Sequence, residues 1–139
     1  MSEESDHPTV LRVEKLDLAY GDFEVLRDVS FEVKDGHCLV VMGGSGCGKS
    51  TLLKSLIGLL APTSGRIFFH SDDLWASDSK KRLEVLRRLG VLFQGGALWS
   101  SMNLLENVSL PLETYTELSD SEISQIAEYK LSLVGLSGY

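Results

Sequence analysis

A glycine-rich segment between an apolar run and a helix-forming run constrains this chain more than any other part of its sequence. Residues 43–51, GGSGCGKST, fit the pattern G-x-x-x-x-G-K-[ST] at every fixed position. The preceding residues 38–42 are continuously apolar, which is typical of a strand buried on both faces. Apolar residues recur at helical spacing over residues 52–60. The order strand, glycine loop and helix predicts a loop that binds phosphate groups.

The residue types in the loop explain how it would hold a triphosphate. Its glycines allow backbone conformations in which successive N–H groups turn inward, and the following helix adds its unpaired N–H groups. Lys49 supplies a mobile cation for the β- and γ-phosphates, and the Ser50 hydroxyl can ligate Mg²⁺. A glycine-rich turn with a chance lysine is the alternative. The residues predicted to bind a nucleoside triphosphate are Gly43, Gly44, Ser45, Gly46, Cys47, Gly48, Lys49, Ser50 and Thr51.

Composition limits the classes of protein that this chain can represent. Its 139 residues, 43% apolar and 24% charged, are enough for one globular domain. A formal net charge of −7 argues against binding of nucleic acid. The densest basic run, Lys80–Arg82 with Arg87 and Arg88, alternates with leucines at helical spacing. It is predicted to lie on the exposed side of an amphipathic helix, with an anion or lipid-headgroup site as the alternative. Cys38 and Cys47 are expected to be reduced thiols in a cytosolic protein.

Strand patterns come before the glycine loop as well as after it. Residues 10–20 end in clean alternation, residues 29–33 alternate again, and residues 66–70 form a third short strand. The predicted fold class is α/β, a P-loop NTPase core with an N-terminal antiparallel β subdomain. Residues 1–9 are expected to be disordered and residues 10–139 to form the domain. A P-loop kinase is a weaker alternative, since it predicts an arginine-rich lid that the sequence does not show.

Later segments give further local predictions. Residues 90–93 are expected to form a short buried strand that ends at Gln94. Pro111 is expected to interrupt a short helical turn over residues 103–108, and Ser119 with Glu122 predicts a capping box at the start of a final helix. The pair Asp72-Asp73 is interpreted as turn residues and not as a Mg²⁺-binding carboxylate site.

The order of these segments resembles the N-terminal half of an ABC-transporter ATP-binding subunit across essentially the whole chain. The segments that carry the resemblance are residues 18–21, 25–31, 43–51, 60–67 and 91–94. The resemblance implies that Tyr20 stacks on adenine. It also implies that Gln94 reaches Mg²⁺ and the attacking water and senses the membrane subunit. ATP and Mg²⁺ are then the expected cofactors, with Lys49 and Gln94 as catalytic residues.

The same resemblance implies partners and a location. Family members work as head-to-tail homodimers and energise a transmembrane permease subunit, so this chain is expected at the cytoplasmic, inner face of the cell membrane. Residues 93–99 and 107–112 are similar to the ATPases of phospholipid-transport systems of the Mla or Mce type. An ATPase of an amino-acid or lipoprotein exporter is the alternative. Trp99 is expected to contact the membrane subunit.

Three parts of the family pattern have no match: the Leu-Ser-Gly-Gly-Gln signature, the Walker B strand with its aspartate and catalytic glutamate, and the switch histidine. The chain is therefore expected to be a partial nucleotide-binding domain, truncated before the signature and Walker B. It is expected to bind ATP but to hydrolyse it poorly or not at all, because phosphoryl transfer needs Mg²⁺ and a positioned water. A non-hydrolysing nucleotide-binding or regulatory module is the alternative from another class.

Overall fold

A computed structural model of the chain describes residues 7–138. They form two compact units, the first ending at Val91 and the second beginning at Leu92. The first unit is mixed α/β and the second is helical, which confirms the predicted α/β class with an N-terminal antiparallel sheet. None of the helices in the described part of the chain is long and apolar enough to cross a membrane. The elements are β1 (Thr9–Tyr20), β2 (Phe23–Lys34), α1 (Lys49–Leu56), β3 (Ser64–Phe69), β4 (Asp72–Asp73), α2 (Ser79–Leu86), α3 (Leu104–Tyr115) and α4 (Asp120–Leu133).

The first unit is built on one antiparallel sheet. Its strand order is β2-β1-β3-β4, so β1 pairs with β2 on one side and with β3 on the other. The alternation expected at the end of β1 is present, because Leu16 and Leu18 are fully buried. These side chains form one apolar cluster with Leu52 of α1 and Val85 of α2. Disorder expected over residues 1–9 falls partly outside the described residues, and Thr9 already belongs to β1.

The apolar run before the glycine loop is not a strand. Residues 38–42 have no regular secondary structure, and the side chains of Leu39 to Met42 are between 46% and 86% exposed. The strand predicted at residues 90–93 is also absent, and Leu92 is 92% exposed. A strand buried on both faces needs paired neighbours and covering layers. The sheet in the described residues consists of four strands that pair only with one another, so neither segment has a neighbour.

The basic residues at the start of α2 are only partly exposed to solvent. Lys81 pairs with Asp72 of β4 at 2.9 Å. Arg82 is half-buried, because its guanidinium lies 4.7 Å from the centroid of the Trp75 ring and its Nε donates to the carbonyl oxygen of Leu74. The prediction that residues 80–82 all face water was wrong for Arg82, since a planar guanidinium can stack on an aromatic ring.

The second unit packs α3 against α4. The predicted capping box is confirmed, with the Ser119 side chain accepting from the Glu122 N–H and the Glu122 carboxylate accepting from the Ser119 N–H. Pro111 does not interrupt the helix as expected, because α3 continues through it to Tyr115. A proline inside a helix forgoes one N–H donor and crowds the carbonyl four residues earlier, here that of Asn107, but its fixed φ is compatible with the helix, which continues. A second capping box at Asn103 starts the helix.

Candidate functional site

The ammonium group of Lys49 lies inside the turn of the glycine loop. Its Nζ donates hydrogen bonds to the carbonyl oxygens of Gly43 and Gly44, each at 2.7 Å, and it lies 3.5 Å from the Cys47 sulfur. All three partners precede the lysine in the sequence. The loop is therefore curled toward the lysine side chain, and two main-chain oxygens hold its ammonium although the residue is exposed.

Helix α1 begins directly behind the loop. Gly48 is its N-cap with φ of 95°, and the Leu52 N–H donates to the Gly48 carbonyl oxygen at 2.8 Å. No side chain caps the start of α1, so its first-turn N–H groups face the loop without a side-chain acceptor. Such a helix start favours anions. Ser50 is exposed on this first turn, whereas Thr51 is buried beneath it.

Two glycines of the loop lie against neighbouring side chains. A β carbon at Gly43 would overlap the sulfur of Cys47. A β carbon at Gly48 would lie 2.9 Å from Leu26 Cδ2 and 3.0 Å from Val25 Cγ1. Strand β2 thus approaches the start of α1 closely, and a side chain at Gly48 would have to displace those of Leu26 and Val25 on a backbone that is already left-handed. Both cysteines of the chain, Cys47 included, are free thiols.

Tyr20, the last residue of β1, is hydrogen-bonded to side chains of α1. The bond with the Thr51 side chain, and then the one from Lys54 Nζ at 3.4 Å, hold the pKa of Tyr20 below its ordinary value of 10.0. The Lys54 ammonium also lies 5.8 Å from the centroid of the Tyr20 ring. The side chain remains 46% exposed. The structure therefore brings the predicted base-binding aromatic into contact with the helix that begins at the glycine loop.

Gln94 and Trp99 lie in the second unit. Gln94 is exposed in a tight turn, which is closed by the hydrogen bond from the Gly96 N–H to the Phe93 carbonyl oxygen at 3.2 Å. Trp99 is 62% exposed, and its backbone N–H donates to the Asn107 side chain at 2.8 Å. The side-chain amide of Asn107 donates in turn to three carbonyl oxygens, so this one residue fastens the segment to α3.

The aspartate pair of β4 is engaged in local structure. Asp72 pairs with Lys81, and the Asp73 carboxylate accepts from the backbone N–H groups of Trp75 at 3.1 Å and Ala76 at 3.0 Å. The turn itself lies one step earlier than predicted, at His70 and Ser71. Across residues 7–138, no group of three or more His, Cys, Asp or Glu side chains is arranged to hold a metal ion.

Sequence reasoning passed over Lys54 and Asn107. The signal for Lys54 was its spacing, three residues after Thr51 and therefore on the same side of α1. Asn107 had no comparable signal, since its partners are backbone groups of a loop whose path the sequence does not specify.

The glycine loop at the start of α1 has the sequence and the helix position of a P-loop, and comparison with known proteins identifies the fold and the family. The profile of the ABC transporter family matches residues 26–138. The chain is 42% identical over 128 residues to a probable ribonucleotide transport ATP-binding protein, mkl, of Mycobacterium leprae. It is 37% identical over 129 residues to the intermembrane phospholipid transport system ATP-binding protein MlaF of Haemophilus influenzae. The chain therefore belongs to the ABC transporter ATP-binding family.

Solved structures agree with this assignment. A dimeric post-hydrolysis structure of the ATP-binding cassette MJ0796 with ADP and Pi superposes with a TM-score of 0.81 at 27% identity, covering 92% of this chain and 58% of that one. The cbiO1 subunit of the Clostridium perfringens transporter complex cbiONQ gives 0.76 at 30% identity, covering 93% and 51%. Among the sequence relatives, the chain covers 37% of mkl and 49% of MlaF, with 92% and 93% of its own residues aligned. It thus spans half or less of their length.

Proposed function

We propose that this chain is the ATP-binding part of an ABC-transporter ATPase subunit, with residues 43–51 holding the triphosphate. The observation that carries the proposal is the position of the Lys49 ammonium, which is hydrogen-bonded to the carbonyl oxygens of Gly43 and Gly44. A cation held there stands beside the uncapped N–H groups of α1. Fixed amide donors with a mobile cation suit the β- and γ-phosphates of a nucleoside triphosphate.

The other predicted residues have matching roles in this proposal. The Tyr20 ring is the platform for adenine, on the side that Lys54 does not cover, and its hydrogen bonds to α1 hold it in register with the loop. Gln94 would approach Mg²⁺ and the attacking water, as the family resemblance implies. The loop glycines, with Ser45 and Cys47, contribute backbone N–H groups.

The residues present fit a magnesium ion that arrives with the nucleotide. Ser50 offers an exposed hydroxyl on the first turn of α1, and the described residues hold no ready-made carboxylate cage. Mg²⁺ commonly keeps several waters and binds through one or two protein ligands together with the substrate phosphates. Ser50, joined by Gln94, would hold it here, and the ion would neutralise charge on the phosphates during their transfer.

Hydrolysis by these 139 residues alone is expected to be slow or absent. The sequence has no match for the Walker B aspartate or the catalytic glutamate, which position the metal and the water in this family. Each tenfold loss of rate corresponds to about 1.4 kcal/mol of barrier. The alternative function, a non-hydrolysing nucleotide-binding module, shares the binding site but predicts no turnover even beside a permease.

Transport of phospholipid is the substrate proposal. Its support is the 37% identity to MlaF and the sequence of residues 93–99. The similarity to mkl, whose name refers to ribonucleotides, favours a rival cargo. A transmembrane permease and a second ATPase subunit are the proposed partners, at the inner face of the cell membrane.

Calorimetric titration with Mg-ATP tests the binding proposal. The wild-type chain is expected to bind ATP, and Lys49→Ala is expected to lower the affinity at least about tenfold, since a hydrogen bond to a charged group contributes about 1.5–3 kcal/mol. Lys80→Ala removes an exposed lysine from α2 and is the matched control. Equal affinities for Lys49→Ala and the wild type would contradict the proposal.

A further inference from the structure

Phe23 is a large apolar side chain that the described fold leaves in water. It is the first residue of β2, it is 72% exposed, and it lies directly opposite Tyr20 in the strand pairing. Only the turn residues Gly21 and Asp22 separate the two aromatics along the chain. Side chains of directly opposed residues in an antiparallel pair lie on the same face, with β carbons about 5 Å apart. The end of the hairpin therefore presents two adjacent aromatic rings.

The face that carries these rings is the one that packs over α1. Leu18 lies two residues before Tyr20 on β1, so the two share a face, and Leu18 is fully buried in the core. Its partner on β2 is Leu26, which is in contact with the N-cap of α1 at Gly48. The pairing shifts by one residue between Leu18 and Ala19, so it is the bonding of Tyr20 to Thr51 and Lys54 that places the outer end of the hairpin, with Phe23, beside α1.

The two aromatic side chains differ in how they are held. The Tyr20 phenol is fixed to α1 by its hydrogen bonds with Thr51 and Lys54, and the Lys54 ammonium lies over its ring. Phe23 offers only an apolar ring beside it. A planar base stacked on Tyr20 would extend past that ring toward the neighbouring strand, and a phenyl ring there would shield the edge of the base from water.

We propose that Phe23 is a second aromatic contact for the nucleobase, adjoining Tyr20, and that together they favour a purine over a pyrimidine. The inference rests on the proposed function, because it places the triphosphate at residues 43–51. A two-ring base is large enough to cover Tyr20 and still reach Phe23, whereas a one-ring base covers less area. The contact lies at the base end of the ligand and makes no demand on the phosphate contacts.

The test compares three ligands, Mg-ATP, Mg-UTP and inorganic tripolyphosphate, titrated into four proteins by calorimetry. We expect Phe23→Ala to weaken ATP binding about three- to tenfold, in the range of one aromatic contact. Tripolyphosphate binding is expected to stay unchanged, and the preference for ATP over UTP to shrink. Phe23→Trp preserves an aromatic surface and is expected to keep wild-type affinity or exceed it. Leu59→Ala removes an equally exposed apolar side chain, 67% exposed, from the same unit and is the control.

The outcomes separate this inference from the proposed function. ATP and tripolyphosphate that both fail to bind the folded wild type would overturn the proposed function, and the inference with it. ATP binding that depends on Lys49 but is equal in Phe23→Ala and the wild type would overturn the inference alone. Circular-dichroism melting of each variant confirms that it is folded. The Phe23→Trp result decides the question if Phe23→Ala is unstable, because a loss of ATP affinity there would also overturn the inference.

Discussion

The ammonium group of Lys49 lies 2.7 Å from the carbonyl oxygen of Gly43, six residues earlier in the chain. The Cys47 sulfur, 3.5 Å from the same ammonium, lies where a β carbon of Gly43 would stand. Contacts among the loop's own residues therefore fix its curled shape. The absence of a side chain at Gly43 leaves room in this shape for the Cys47 sulfur.

Gly43→Ala is expected to displace the Cys47 sulfur from its place beside Lys49 and to weaken ATP binding about two- to fivefold, because the added β carbon overlaps a side chain that must turn aside. The measurement is calorimetric titration with Mg-ATP. The double variant Gly43→Ala/Cys47→Ala removes the overlapping sulfur and is expected to regain most of the lost affinity. No recovery in the double variant would mean that the overlap with Cys47 is not the cause.

The Asp17 carboxylate connects three strands, and the stability of the first unit is expected to depend on its ionisation. It accepts from the Ser64 hydroxyl at 2.6 Å and from the Asp28 N–H at 2.7 Å. These bonds, the one from Ser64 first, hold the pKa of Asp17 below its ordinary value of 3.8. A depressed pKa means that the folded state favours the ionised form, so the stabilisation is present above 3.8 and is lost as pH falls through the lower, folded-state value.

Asp17→Asn is therefore expected to melt at a lower temperature than the wild type near neutral pH, and the difference is expected to shrink in acid. Thermal melts of both proteins across a pH series provide the measurement. If the difference in melting temperature between the two proteins is the same at every pH, the charge of Asp17 contributes nothing to the strand contacts.

Gly65→Ala is expected to destabilise the first unit by about 2 kcal/mol or more, measured by urea denaturation. Gly65 has φ of +84°, and a β carbon there would overlap the carbonyl oxygen of Lys15 and lie 2.6 Å from that of Glu14. The substitution adds a backbone clash to the left-handed strain. Gly36→Ala is the matched control, since its φ is +72° but the space around it is open, and about 1 kcal/mol is expected there. If Gly65→Ala and Gly36→Ala lower the free energy of unfolding equally, the close contact with the Lys15 and Glu14 carbonyl oxygens adds no cost.

Asn107→Ala is expected to free the segment around Trp99 and to destabilise the second unit by about 1–2 kcal/mol. The substitution removes the side chain that bonds Trp99 through both its N–H and its carbonyl group. Amide hydrogen exchange of Trp99 is expected to speed up, while exchange on α4 changes little. Glu128→Ala, at an exposed position of α4, is the control. If the amide of Trp99 exchanges as slowly in Asn107→Ala as in the wild type, Asn107 does not hold this segment.

Local chemistry allowed much of this protein to be predicted from its sequence. Residues 43–51 specify a loop and a helix start. Their glycines allow the backbone of the loop and their lysine provides its cation, whatever the rest of the fold is. Short-range patterns also predict β1, the part of β2 over residues 29–33, the turn at Gly21-Asp22 and the capping box at Ser119. Each of these features is decided by residues a few positions apart.

Tertiary structure decided what depends on neighbours distant in sequence. The apolar run 38–42 has the composition of a buried strand but no partner among the four described strands, so it is irregular and exposed. Arg82 is half-buried because its guanidinium stacks on Trp75. Likewise, the face shared by Tyr20 and Phe23 lies beside α1 because the Tyr20 phenol is hydrogen-bonded to Thr51 and Lys54. Burial and register are properties of the assembled chain, since a segment's hydrophobicity does not specify which surface will cover it.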